Sequence, residues 1–388
     1  MPLTFYVDRQ AWRAHQHRVL AEWPAPVPVV KGNGYGFTLP VLAEAARRLG
    51  VAAGVDQIAV GTAQEAVRVL DHFPHDLVLL EPFLPGAEWV DLPDRVVRNA
   101  ASLDAVRMLA GRRMVVDCRS SLRRQGVART ELAELRRALG GCEPEGYSVH
   151  LPMERPSRAD PVREVSDWVS ALREAGLAVP VMYVSHLRGP ELAALGLRFP
   201  GTRFRLRTGT ELWLGDRSAI EARATVLDVL PVARGERIGY RQGRLRQGGW
   251  IVVVSGGTVH GVGLEAPKIM QGLLPRAKEL GRSGLRAMNR TLSPYSWRGR
   301  RRWFAEPPHM SVSMIHLPGA ETPPRPGGEL LAELRHTATH FDRVVIVNED
   351  VPGRAGSEAD RAAAAAKLLP RQDAAGVRPA WAASSSSW

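Results

Sequence analysis

The sequence predicts an α/β protein, a (β/α)8 TIM-type barrel followed by a smaller β-rich domain. Three observations carry this: eight short apolar runs rich in β-branched residues, amphipathic or alanine-rich stretches between them, and a change of pattern after Gly215. The runs are Val27 to Lys31, Gln57 to Gly61, Asp76 to Leu80, Val96 to Ala100, Arg113 to Cys118, Tyr147 to Leu151, Val179 to Ser185 and Arg203 to Gly209. Eight strands alternating with helices suit a closed barrel better than an open sheet, though periodicity alone does not separate the two. In a barrel, functional side chains collect at the carboxyl ends of strands, where Lys31, Asp117, His150, Ser185 and Arg207 fall. Pro28 sits one residue into the first run, where a missing donor is tolerated.

The division expected is residues 1–216 for the barrel, 217–350 for the β-rich domain and 351–388 for a low-complexity, disordered tail with one alanine-rich segment. ARATVLDVLPV, GERIGYRQ and GWIVVVSGG read as strands joined by turns, and the pattern resumes in HMSVSMIHL and RVVIVNE. Residues 264–302 interrupt it with ten basic and two acidic residues, a net of 10 − 2 = +8 out of the chain's +12. There Ile269, Leu273, Leu274, Ala277 and Leu280 recur at helical spacing, and RGRRRWF follows. Such a segment suits an anionic membrane surface or cell-envelope precursor, and equally a solvated helix packed on the domain; no motif supports sequence-specific nucleic-acid binding.

Two cysteines, Cys118 and Cys142, exclude a disulfide-stapled secreted fold and a cysteine zinc cluster. Charges run through the N-terminal twenty residues, and no run of 18 apolar residues occurs, so the expectation is a cytoplasmic protein, with peripheral membrane association through the insertion as an option.

Only four lysines occur, Lys31, Lys268, Lys278 and Lys367. The first ends an apolar strand in VPVVKGNGYGFTLPVLAEAARRLG and precedes a glycine-rich turn. An amine at an apolar barrel mouth is desolvated, its pKa falls, and its neutral form condenses with an aldehyde. Spacing alone is equally consistent with a solvent-facing lysine.

VVKGNGYG resembles the VVKANAYGHG segment of the alanine racemase family, fold-type-III proteins whose lysine carries pyridoxal 5'-phosphate (PLP). The resemblance continues in order through IAVGTAQEAVRV, VVDCRSSLRRQGVA, YSVHLP, VSH, LRTGTELWLG and ARATVLDVLPVARGERIGY, over residues 3–255. It implies Lys31 as the Schiff-base lysine and as base on one face of the substrate, with L/D interconversion passing through an external aldimine. Tyr35, Ser185 and the amides of Gly209 and Thr210 would hold the phosphate, and His150 would lie beside the ring. Arg124, with Arg123 as its competitor, would meet the cofactor oxygen or the substrate carboxylate. Arg207 would face the pyridine nitrogen and keep it unprotonated. The implied activity is an amino-acid racemase acting on a small substrate as a homodimer, supplying D-amino acids for cell-wall synthesis.

The pattern departs where the family has a second-base tyrosine. SGGTVHGVG leaves Gly257 or Thr258 near its place, with His260 the nearest titratable group; His260, or a water held by Thr258, is the expected second acid/base, while a hydrogen-bonded turn residue fits His260 as well. Met310 matches a substrate-contacting methionine, Ser311 replaces an aspartate, and a closing phosphate-binding tyrosine has no evident counterpart. These departures keep open other PLP chemistry, such as decarboxylation or β-elimination, or a catalytically impaired PLP-binding protein working through its insertion.

Overall fold

The computed structural model describes residues 2–23, 26–50, 53–155, 160–264, 291–319 and 321–347. All eight predicted runs form strands of a closed parallel barrel: β2 (Val27–Val30), β3 (Gln57–Val60), β4 (Asp76–Pro82), β5 (Val96–Ala100), β6 (Met114–Cys118), β7 (Gly146–Val149), β8 (Val181–Ser185) and β9 (Arg203–Thr208). Closure comes from β9 returning to β2, with Val27 opposite Arg207 and Pro28 opposite Thr208. The interior is packed rather than hollow: Val27, Val29, Ala59, Val78, Val97, Val115 and Tyr183 fill it, and the Tyr183 hydroxyl donates to Gln57 Oε1 at 2.9 Å.

The helices form where sequence period and caps agree. α2 (Leu39–Leu49) buries Leu39, Leu42, Ala43, Ala46 and Leu49, a stripe at spacings of three and four. α3 (Ala63–Val69) starts where the Thr62 hydroxyl accepts from the Glu65 amide. Truncating a buried leucine such as Leu42 costs on the order of 2–5 kcal/mol. Among the described residues the β4 to β5 crossover, residues 83–95, carries no helix.

The second layer is an eight-stranded sheet in which β10 (Ile220–Val232) pairs with β13 (Gly249–Ser255) and β17 (Glu329–Ala332). β1 (Leu3–Asp8), counted with the barrel when the chain is divided at residue 216, lies instead in this sheet, antiparallel to β10 and parallel to β18 (Arg343–Val347). Leu3, Phe5 and Val7 share one face of the strand, Leu3 packing in the core of the sheet and Phe5 and Val7 in the core that includes the barrel's outer helices. The two layers meet at Phe5, whose ring centroid lies 4.8 Å from those of both Phe37 and Phe341.

The basic insertion is shorter than its expected span, because β14 (Leu292–Trp297) and β15 (Arg300–Phe304) form a hairpin within the sheet. Arg302, offered above as part of a membrane-facing run, is buried and pairs with Glu321 at 2.7 Å, and Arg301 Nε donates to the Ser293 carbonyl. A buried, paired guanidinium is committed to the fold and does not support docking on an anionic surface. Residues 265–290, with the helical spacing from Ile269 to Leu280, and the tail 351–388 lie outside the described residues. No described helix is long and apolar enough to cross a membrane.

Candidate active site

A cavity of about 1340 Å3 opens at the carboxyl ends of the barrel strands. Lys31, Tyr35, Arg124, His150, Ser185, Arg207, Gly209 and Thr210 all line it, although they come from segments spread over 180 positions. Parallel strands deliver their last residues to one rim, which is why distant motifs converge.

Lys31 directly follows β2. Residue 31 is exposed, its surface opening into the cavity rather than sealed from water, and its amine is nonetheless partly desolvated. Burial of the ammonium lowers its pKa first, the Arg124 and Arg207 charges lower it further, and Glu65 opposes them. The turn after it is built for tightness. Gly34 has φ +63°, and a Cβ there would lie 2.8 Å from the Leu39 amide nitrogen, so only glycine fits. Tyr35 holds φ +55°, unusual for a bulky residue, and is buried with its hydroxyl against Gly209. Burial pushes that hydroxyl's pKa upward, so it stays protonated.

Glu65 is a site residue that the motifs did not single out. Its two oxygens accept from the Gly32 and Gly61 amides, each at 2.9 Å, tying the lysine turn to the end of β3. Its signal was an acid in the first turn of α3, which reads as a helix cap.

Arg124 and Arg207 line the same cavity, and both charges act on Lys31. Burial lowers the pKa of Arg207, Asp117 opposes that, and Arg124 adds to it; Nε and Nη2 of Arg207 are buried without a hydrogen-bond partner. Asp117 itself accepts from Asn99 Nδ2 at 3.0 Å and Gln125 Nε2 at 2.6 Å. Of the competing pair, Arg124 lines the cavity and Arg123 does not; Arg123 is the turn residue, with φ +52°. The His150 pKa is pushed down to about 3, by burial first and then by Arg207, His186, Arg124 and Lys31, so its ring is neutral. His186, a second residue not assigned from the sequence, lines the cavity with its ring centroid 5.3 Å from that of His150. Ser185 Oγ is buried and accepts from the Leu151 amide at 3.0 Å, locking β8 to the end of β7.

The predicted second acid/base does not join this group. His260 Nδ1 accepts from the Gly257 amide and Nε2 lies 3.1 Å from Asp342 Oδ1, so both ring nitrogens serve the turn. Thr258, His260 and Met310 are absent from the cavity wall, and Met310 is 70% exposed on the other layer. Backbone packing excludes a side chain at position 257: a Cβ there would lie 2.2 Å from the His309 carbonyl and 2.5 Å from that of Met310. The second layer does contribute to the cavity through Arg335 and Thr337, which the sequence motifs did not reveal.

Residues 7–189 match the family model described as alanine racemase, N-terminal domain. Among solved structures, the chain resembles an alanine racemase from Bartonella henselae with covalently bound pyridoxal phosphate, at 16% identity and a TM-score of 0.62, covering 87% of this chain and 91% of that one. An alanine racemase from Corynebacterium glutamicum matches at 20% identity and 0.59, over 88% of this chain and 98% of that one. One from Bacillus anthracis with bound L-Ala-P matches at 19% and 0.58, over 85% and 84%. No curated protein matches the sequence. The barrel segment 7–189 is thus similar to the N-terminal domain of alanine racemases, and the chain shares the fold of the racemases above.

Proposed function

We propose that the protein binds PLP through Lys31 and acts as an amino-acid racemase. The observation that carries the reading is the pairing, in one cavity, of a lysine with a lowered pKa and a half-buried arginine whose buried Nε and Nη2 have no hydrogen-bond partner in the protein. Buried donors are almost always satisfied, and a ring nitrogen kept unprotonated is an acceptor that suits a permanent cation. PLP when bound supplies an aldehyde that condenses with amines and a ring that takes up the electron pair released at the substrate's α-carbon.

The chain's residues then have these tasks. Lys31, in its neutral form, takes the α-proton on its face of the amino acid and returns one. Glu65 positions Lys31 by holding the Gly32 amide. Arg124 orients the substrate carboxylate, and the neutral His150 ring packs beside the cofactor. Tyr35, Ser185 and the amides of Gly209 and Thr210 hydrogen-bond the phosphate. His260 keeps the turn it caps. Delivery to the second face falls to another group, drawn from the cavity or from a second copy of the chain in a homodimer. Supply of D-amino acids for cell-wall synthesis in the cytoplasm belongs to the same proposal.

The absence of His260 and Thr258 from the cavity wall favours one second reading, a one-base PLP reaction such as decarboxylation or β-elimination. Incubation with alanine, serine, lysine and glutamate in deuterated buffer separates the two. Racemisation requires α-deuterium incorporation and appearance of the other enantiomer on a chiral column. Release of CO2 with the corresponding amine, or of a keto acid with ammonia, and no second enantiomer supports the second reading, and the absence of exchange and of all these products rejects both.

A further inference from the structure

The groups assigned above to a phosphate are hydroxyls and amides, with no positive charge among them. A phosphate monoester carries about −1.5 to −2 near neutral pH and is bound most strongly by charge-assisted hydrogen bonds. Two arginines on the cavity wall are engaged by one acid: Arg155 pairs with Glu191 at 2.5 Å, and Arg188 also lies in the field of Glu191. The second layer supplies a different cation. Arg335 and Thr337 flank His336 at the one-turn helix His336–Ala338, and both line the cavity.

That turn is fixed on the segment that carries Lys31 and Tyr35. The Asn33 amide donates to the His336 carbonyl at 2.8 Å and to the Thr339 carbonyl at 2.7 Å. The Phe341 ring packs so closely that a Cβ at Gly36 would lie 3.0 Å from it. Arg335 Nε donates to Thr337 Oγ1 at 3.3 Å, and among the described residues no carboxylate forms an ion pair with Arg335. Its guanidinium thus keeps most of a donor fork on the wall of the cavity that Lys31 and Tyr35 also line.

We propose that Arg335, positioned by Thr337, is the cationic ligand of the PLP phosphate, so that barrel and β-rich region of one chain share the phosphate subsite. This rests on the PLP reading of the cavity. A side-chain carboxylate of the substrate is the competing anion for the same guanidinium, and the choice of probes separates them.

The full chain is titrated with PLP and, in parallel, with pyridoxal, which lacks the phosphate, following absorbance and fluorescence; circular dichroism verifies that each variant is folded. In Arg335→Gln, PLP binding weakens at least about tenfold while pyridoxal binding is unchanged, and Arg335→Lys recovers part of the loss. Thr337→Val gives a smaller loss in the same direction. Inorganic phosphate competes with PLP in the wild type and less in Arg335→Gln. PLP affinity unchanged in Arg335→Gln overturns the proposal while leaving the PLP reading intact, and so does equal weakening of PLP and pyridoxal. A wild type that binds neither compound through Lys31 overturns the PLP reading and this inference together.

Discussion

Replacing Gly209 by alanine tests how tightly the site is built. The added Cβ would stand 2.1 Å from Tyr35 Oη, 2.7 Å from its Cζ and 3.3 Å from Val29 Cβ. Two of these separations are far inside van der Waals contact, so the tyrosine or the Gly209 turn must move. The tyrosine has little room to yield, being buried, held at φ +55° and flanked by glycines that fix the turn. Overpacking of this kind costs about 1–3 kcal/mol. Urea unfolding of the wild type, Gly209→Ala, Tyr35→Leu and the double variant reads the effect as a cycle. Leucine lacks both offending atoms, so alanine at 209 is tolerated better in that background, with a coupling of about 1–2 kcal/mol. Additive effects, or a Gly209→Ala protein as stable as the wild type, would refute the contact.

Four further outcomes follow from the geometry. Lys31→Ala abolishes the visible absorbance that PLP gives with the wild type and leaves the fold intact, as circular dichroism would record. Glu65→Gln replaces an acceptor of the Gly32 and Gly61 amides by a weaker one and removes a charge that raises the Lys31 pKa; the acid limit of PLP binding through a neutral amine therefore moves to lower pH, read from absorbance titrations. His260→Asn loses stability by about 1–3 kcal/mol with α-proton exchange in the wild-type range, since its nitrogens serve the Gly257 turn and Asp342; a catalytic collapse with unchanged stability would contradict this. Acid sensitivity follows from three histidines: His150 is held down to about 3, His336 to about 4, and His186 is lowered, in each case chiefly by burial. The unfolded chain takes up protons near pH 6.5 and the folded chain does not until much lower, so stability is full above that pH and falls below it. The slope is at most about 1.4 kcal/mol per pH unit for each histidine, and a flat profile between pH 6.5 and 4.5 would count against buried neutral rings.

The barrel was legible because each of its strands is a short β-branched run that must be buried on both faces, a property that survives in composition and spacing. The converging motif residues were legible for a related reason, since each ends a strand and a closed parallel barrel leaves those ends a single rim to occupy. β1 falls within residues 1–216 by chain position alone, and its pairing with β10 and β18 is what places it in the sheet. Glu65 is an ordinary first-turn acid of α3 by sequence, and only the fold brings its carboxylate across 33 positions to the lysine turn. Arg302 read as part of a solvated basic run until Glu321 was brought beside it by the hairpin.

Local sequence thus determined the strands, the glycine turn and the lysine at its start, because backbone conformation, burial period and desolvation are set by residues close together in the chain. Tertiary structure alone decided which charges meet. It left Nε and Nη2 of Arg207 without a hydrogen-bond partner, set the His260 ring between the Gly257 amide and Asp342, and carried Arg335 to the Lys31 cavity. Electrostatic and hydrogen-bond partnership depends on separations of a few ångströms between residues hundreds of positions apart, and no periodicity encodes that.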